Sequence, residues 1–398
     1  MATVGDRCVF RIIACVAAML LVGAGTPATA QTWVGTWEAA PVWANPAVSF
    51  TDTTLREIVH VSIGGTVVRV RLSNTFGSEP LAIGHATIAI RAVAASPVAA
   101  PQPLTFGGAT SIQVPPGAQV ISDATALNVA PGSDLLISLY LPGPTGAATE
   151  HPLALQTNFS SSGDHTVDAN GSAYTQTLRK WYFLSGVDIA GTRAGGAVVT
   201  LGDSITDGAH SLVDENGRWP DVLARRIVHS AAPPLGVLNA GISGGRILLD
   251  GGHYGVNALA RLNRDVLAQT GVRDVIVLLG INDLEQTPQQ VDPLRIEAGL
   301  LQIAERAHER RLRVLACTIL PSEGYLAYND RVAAAREAVN AFIRTSKAFD
   351  GVCDFDAAVR DPRDPMRMLP AYDSGDHLHP NSAGLQVMGS LIDISELQ

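Results

Sequence analysis

Residues 197–208 read AVVTLGDSITDG. Five apolar or β-branched residues (197–201) run straight into a polar cluster bounded by Gly202 and Gly208. A run this short cannot make a helix of ordinary length, and it reads as a buried strand with functional groups at its end. The pattern recurs downstream. Residues 237–238 lead into NAGISGGR (239–246), and residues 275–279 lead into GIND (280–283). Residues 314–319 and 352–355 are further strands without such a cluster. Helix-like stretches separate them, at 221–229, 258–269, 293–310 and 331–349, and a last helix begins near Ser382. Short strands alternating with helices of this length specify a parallel sheet with helices on both faces. In such α/β folds chemistry gathers at the carboxyl ends of the strands.

Upstream the pattern differs. Residues 31–190 hold 16 charged side chains, against 46 in residues 191–398. Val59, Val61 and Ile63 alternate, Gly64-Gly65 supplies a two-residue turn, and Val68, Val70 and Leu72 continue opposite Arg69 and Arg71. Residues 86–93 and 135–141 are further strands, with turn-rich stretches at 77–80, 115–117 and 131–134. This reads as an all-β sandwich of jelly-roll type. The expected seam is residues 186–196, giving a β module over 31–190 and an α/β domain over 191–398.

The first thirty residues read as an export signal. Arg7 and Arg11 precede an eleven-residue apolar run (12–22), and Ala28-Thr29-Ala30 supplies a small-x-small cleavage site. The run is too short to span a bilayer, so a secreted or periplasmic protein with no membrane segment after processing is expected. A net charge of −9 argues against a nucleic-acid partner, which needs a concentrated Lys/Arg face. Lysine occurs only at Lys180 and Lys347, with Arg carrying the remaining positive charge, which reads as a composition effect. Beyond the signal only Cys317 and Cys353 remain, both in strand-like runs, and two buried thiols are favoured over a disulfide. CxxC and HExxH spacings are absent, so neither metal nor cofactor is expected.

Near the C-terminus a fourth cluster, DHLHPN (376–381), brings an aspartate and two histidines. A serine, a histidine and a carboxylate brought to one sheet edge are what nucleophilic acyl transfer requires. The four clusters in this order resemble the SGNH (GDSL) hydrolase superfamily of esterases and lipases, over about residues 195–390. RWPD (218–221), NAGISGGRIL (239–248) and LLGINDL (278–284) resemble a branch of secreted bacterial esterases that includes acyl esterases associated with xylan degradation.

The resemblance implies a flavodoxin-like sheet and a set of roles. Ser204 is the expected nucleophile, His379 the general base and Asp376 the residue that orients it. The oxyanion donors are the backbone N–H groups of Ser204 and Gly244 and the side-chain amide of Asn282. Arg246, His253 and Tyr254 follow the Gly244 loop and are candidate substrate contacts. Asp203, Asp207 and Asp283 are expected to cap helices and brace loops. His377 stands where the family often has glycine; a solvated loop position is favoured over a pocket or metal-ligand role.

Residues 241–245 (GISGG) also match GxSxG, the nucleophile elbow of another hydrolase class, which would make Ser243 the nucleophile. That reading leaves GDSITDG and GIND without a task. The expected activity is therefore a serine esterase acting on small acyl groups, with acylated polysaccharide as a candidate substrate. The alternatives are a lipase or arylesterase, and an inert carbohydrate-binding protein. A flavodoxin-like nucleotide binder is disfavoured, because the loop after the first strand lacks GxGxxG and GxxxxGK[ST].

Overall fold

The computed structural model describes residues 1–2, 32–230 and 232–397, with nothing described of the His253 side chain. Apart from its first two residues, the expected export signal lies outside the described residues. Among the described residues no helix is long and apolar enough to cross a membrane.

Residues 34–190 form antiparallel strands in two main sheets. One runs in the order Val34–Glu38, Leu184–Ala190, Gly65–Ser73, Gln119–Ile121, with Thr125–Val129 also pairing to Gly65–Ser73. The other is centred on Thr53–His60 and Asp134–Leu141, flanked by Asn158–Ser162 and His85–Val93. Val68, Val70 and Leu72 of the first sheet share one core with Leu55, Val59, Leu135, Ile137 and Leu139 of the second. Period-two alternation puts those side chains on one face of each strand and leaves Arg69 and Arg71 half-buried on the other.

The expected hairpin at Gly64-Gly65 is not formed. Thr53–His60 and Gly65–Ser73 lie in different sheets, and the two glycines carry the chain from one to the other. A two-residue hairpin of the favoured type needs positive φ, which neither glycine has. The glycines serve close approach instead: a Cβ on Gly64 would stand 2.3 Å from the Val129 carbonyl oxygen, and one on Gly65 2.5 Å from that of Ala190. Crossing between sheets lets both apolar faces point into one core, whereas a hairpin would set them side by side on one sheet.

The parallel sheet runs in the order Leu235–Gly241, Gly196–Gly202, Val272–Leu278, Arg313–Cys317, Gly351–Cys353. This is the 2-1-3-4-5 order of a flavodoxin-like sheet, whose switch point lies beside the first strand. Gly196–Gly202 is paired on both sides and buried along its whole length, which explains its unbroken apolar reading. Its register sets Gly202 opposite both Gly241 and Leu278. Three chain segments therefore leave the sheet at one level, and Ser204, Gly244 and Asn282 follow within four residues of that edge.

The helices begin where side chains satisfy their first N–H groups. Asp292 caps Pro293–His308, Asn329 caps Asp330–Thr345 and Asn381 caps Ser382–Leu391. Trp219–Val228 starts with a capping box in which the Asp221 carboxylate accepts from Arg218 N at 3.0 Å. It buries Trp219, Val222, Leu223 and Ile227, and truncating Trp219 to alanine would cost about 3–5 kcal/mol. The expected helix over 258–269 is shorter and changes winding, with α-helix at Ala258–Leu262 and π-helix at Asn263–Leu267.

Thr32–Gln398 forms one unit, and its two sheet systems interlock. Val34–Glu38 runs against the edge strand Leu235–Gly241, and Ala39 bridges to Asn239. The stretch expected to be linker begins as a buried strand, Leu184–Ala190. Cys317 and Cys353 are register partners on neighbouring strands, both buried and unbonded.

Candidate active site

Ser204 opens a four-residue helix, Ser204–Asp207, immediately beyond the strand Gly196–Gly202. Asp203 caps it, its carboxylate accepting from Ile205 N at 3.0 Å. Ser204 Oγ lies 2.8 Å from His379 Nε2. On the other side of the ring, His379 Nδ1 lies 2.6 Å from Asp376 Oδ2. A carboxylate only accepts, so the ring's hydrogen sits on Nδ1 and Nε2 is free to accept the serine proton.

The Asp376–Asn381 turn is built to hold that geometry. Asp376 Oδ1 accepts from His379 N at 2.8 Å, Leu378 N at 2.9 Å and Ser374 Oγ at 3.0 Å. Burial raises the Asp376 carboxyl, but the bonds from the His379 amide, the His379 ring and the Leu378 amide outweigh it, holding the carboxyl well below the usual range. Asn381 anchors the turn by donating to the carbonyls of Ala371 and Asp373.

Gly244 has φ +74°, and a Cβ there would meet the Tyr254 ring at 2.4 Å. Only glycine satisfies both conditions. Asn282 donates through Nδ2 to the Gly245 carbonyl at 3.1 Å, and its Oδ1 accepts from Gln286 Nε2 at 2.9 Å. Gln286 also donates to the Gly244 carbonyl. The 204, 244 and 282 loops are thus tied together at the sheet edge.

The other candidates separate by environment. Ser243 donates its hydroxyl to Asp207 Oδ2 at 2.8 Å, so it braces a carboxylate and is not paired with a histidine. Asp283 accepts from Ile247 N and Leu248 N. Arg246 is 3% exposed and donates to the Pro288 carbonyl. Tyr254 is 39% exposed beside Gly244. His253 lies on the Gly252–Tyr254 turn, its side chain outside the described part. His377 is half-exposed and held by Asp373.

Several residues near the site carried no signal in the sequence. Arg261 is 1% exposed and donates to the carbonyls of Gly202 and Ala240, at the ends of the two strands that feed the Ser204 and Gly244 loops. Its Asp265 partner at i+4 would read as a solvated helix pair from sequence alone. His210 stands over His379, ring centroids 5.2 Å apart, with Nε2 3.4 Å from Asp376 Oδ2. Among the described residues, His210, Asp376 and His379 form the one group able to hold a metal ion, and two of the three are already engaged with Ser204 and each other. Glu285 is buried with neither carboxyl oxygen hydrogen-bonded. Its burial pushes it up to about 7, outweighing the nearby Ser322 and Arg336.

Residues 200–387 match the GDSL-like lipase/acylhydrolase family model. They form a GDSL-like lipase/acylhydrolase domain. The chain is accordingly a carboxylic ester hydrolase. No curated protein matches it. Solved structures similar to the GDSL-like domain include a protein described as a G-D-S-L family lipolytic protein from Desulfitobacterium hafniense. It is 22% identical with a TM-score of 0.39, over 49% of this chain and 96% of that one. An acetyl xylan esterase, AlAXEase, is 18% identical with a TM-score of 0.38, over 49% and 96%. An acetyl xylan esterase from Geobacillus stearothermophilus is 19% identical with a TM-score of 0.39, over 50% and 94%.

Proposed function

We propose that Ser204, His379 and Asp376 hydrolyse short-chain carboxylic esters through an acyl-enzyme. Ser204 Oγ attacks the ester carbonyl as its proton passes to His379 Nε2. The tetrahedral oxyanion is met by the N–H groups of Ser204 and Gly244 and by the Asn282 amide. Collapse breaks the ester C–O bond, and His379 returns the proton to the departing alcohol. Water then repeats the sequence on the acyl-enzyme, releasing the acid and restoring Ser204. Asp376 keeps the imidazole in the tautomer that can accept. The single observation that carries this reading is the 2.8 Å contact between Ser204 Oγ and an imidazole nitrogen whose other side faces a carboxylate.

We read the acyl group as acetyl and the alcohol as a polysaccharide. The sequence blocks that resemble those of secreted xylan-associated esterases support this, and the signal-like residues 1–30 support a further reading, that the chain is exported and cleaved after Ala30. Residues 31–190 are read as an accessory sandwich of jelly-roll type, supported by two antiparallel sheets sharing a core. Tyr254, 39% exposed beside Gly244, favours a second reading in which the alcohol is aryl or lipid.

The test is an ester panel with paired serine variants. Ser204→Ala should abolish p-nitrophenyl acetate hydrolysis while Ser243→Ala retains substantial activity; the reverse pattern overturns the assignment. Acetylated xylan should be deacetylated. Activity confined to long-chain esters removes the acetyl reading.

A further inference from the structure

We propose that His151, contributed by the antiparallel part of the chain, is a positioning residue that holds the Gly244 loop against the Ser204 helix through Asp207 and Ser243. The proposal rests on the roles given above to Ser204 and Gly244.

The contacts are short and buried. His151 Nε2 lies 2.9 Å from Asp207 Oδ1. Asp207 Oδ2 accepts from both Ser243 N at 2.9 Å and Ser243 Oγ at 2.8 Å. His151 and Asp207 are 4% and 3% exposed. Asp207 closes the helix that Ser204 opens, and Ser243 immediately precedes Gly244. One carboxylate therefore links the nucleophile's helix to the oxyanion loop. The same loop is also tied at its start, by Asn239 Nδ2 donating to the Thr206 carbonyl and Ile242 N to that of Gly202. Beyond Ser243 it is tied by Asn282 and Gln286 donating to the carbonyls of Gly245 and Gly244, so Asp207 is the side-chain link that reaches Ser243 itself.

The partners of His151 decide its charge. Nδ1 faces the Ala40 carbonyl at 2.9 Å and Nε2 faces a carboxylate, and both can only accept. Both ring nitrogens therefore carry hydrogen, and the side chain is an imidazolium. Burial and Arg218 oppose that charge, yet Asp207 and the Ala40 carbonyl outweigh them and raise the ring's pKa. Without the imidazolium, Asp207 would be a buried carboxylate short of its counter-ion, a costly arrangement that is relieved by taking a proton or turning toward water. Either response loosens Ser243, and with it the N–H of Gly244.

The surroundings make the idea testable without loss of the fold. His151, Asp207, Arg218, Trp181 and Asn239 line a cavity of about 40 Å³ between the two sheet systems, room for a water or two beside a smaller side chain. His151→Leu removes both donors. His151→Gln keeps an amide able to donate to Asp207.

Turnover of p-nitrophenyl acetate by the purified variants, expressed per site labelled to completion by a fluorophosphonate, separates positioning from misfolding. His151→Leu should lower kcat by roughly 10- to 100-fold with KM within about twofold, a fraction of the effect of deleting an oxyanion donor. His151→Gln should recover kcat to within about fivefold of wild type. If His151→Leu yields no labelled protein, His151→Asn, whose amide stops one bond short, takes its place with the same expected loss. A kcat per labelled site within about twofold of wild type for the Leu or Asn variant overturns the proposal. Equal losses in the Gln variant and its comparator do so as well. Ser204→Ala run in parallel keeps the two readings apart, since activity there defeats the catalytic assignment itself.

Discussion

Replacing Asp376 by asparagine changes one atom's chemistry and, by the geometry of the turn, reverses a proton. Oδ1 accepts three hydrogen bonds, from Ser374 Oγ, Leu378 N and His379 N, while Oδ2 accepts from His379 Nδ1. The amide NH₂ cannot occupy the Oδ1 position, because two backbone N–H groups with no other acceptor would face it, at about 1–3 kcal/mol for each group left unsatisfied. The amide oxygen therefore takes that side and the NH₂ faces Nδ1. Nδ1 must then accept, and the imidazole proton moves to Nε2. A protonated Nε2 2.8 Å from Ser204 Oγ donates to the hydroxyl and cannot take its proton. A wrong tautomer of this kind lowers kcat by about 10⁴, or about 5.5 kcal/mol of barrier. The assay is kcat and KM on p-nitrophenyl acetate, with near-UV circular dichroism to verify the fold. KM should change little. An Asp376→Asn enzyme within tenfold of wild-type kcat would refute the orientation argument.

Two other perturbations follow from particular atoms. Gly244→Ala forces φ +74° on a residue with a Cβ aimed at the Tyr254 ring; kcat should fall about 10²-fold, since the loop must shift an oxyanion donor, while thermal unfolding moves by only a few degrees. Glu285 has an ordinary pKa of 4.5 and a folded value near 7. Between those pH values the folded protein holds a proton that the unfolded chain has released, so this group lowers stability as pH rises through the window and keeps it lowered above. Glu285→Gln should therefore raise the melting temperature at pH 8 and change it little at pH 4.5, by an amount bounded at roughly 3 kcal/mol. Equal shifts at both pH values, or a loss at pH 8, would contradict the assignment.

Much of this molecule is legible along the chain. Residues 197–208 announce a buried strand and its polar end because an interior parallel strand must be apolar on both faces, and this one is buried throughout. The helices and their caps follow from local chemistry at Asp292, Asn329 and Asn381. The turn at Gly64-Gly65 shows where local reading fails. Two glycines between alternating strands suit a hairpin, and nothing nearby reveals that the strands join different sheets. The π-helical turn at Asn263–Leu267 was equally hidden; it adjoins Arg261, whose partners Gly202 and Ala240 lie far away in the chain.

Sequence alone determined which side chains are available for chemistry and the order in which they meet the sheet, because strand periodicity, capping and nucleophile clusters are written within a few residues. Tertiary structure decided which of them meet. His151 and Asp207 are 56 residues apart, and Ser204 and His379 are 175 apart. The register that levels Gly202 with Gly241 and Leu278 gathers the Ser204, Gly244 and Asn282 loops, and packing of the antiparallel strands and of the 376–381 turn against that edge brings in His151 and His379. A buried charge is stable only beside its counter-charge, so the fold, not the local pattern, turns Asp207 from a helix-end carboxylate into the link between two halves of the chain.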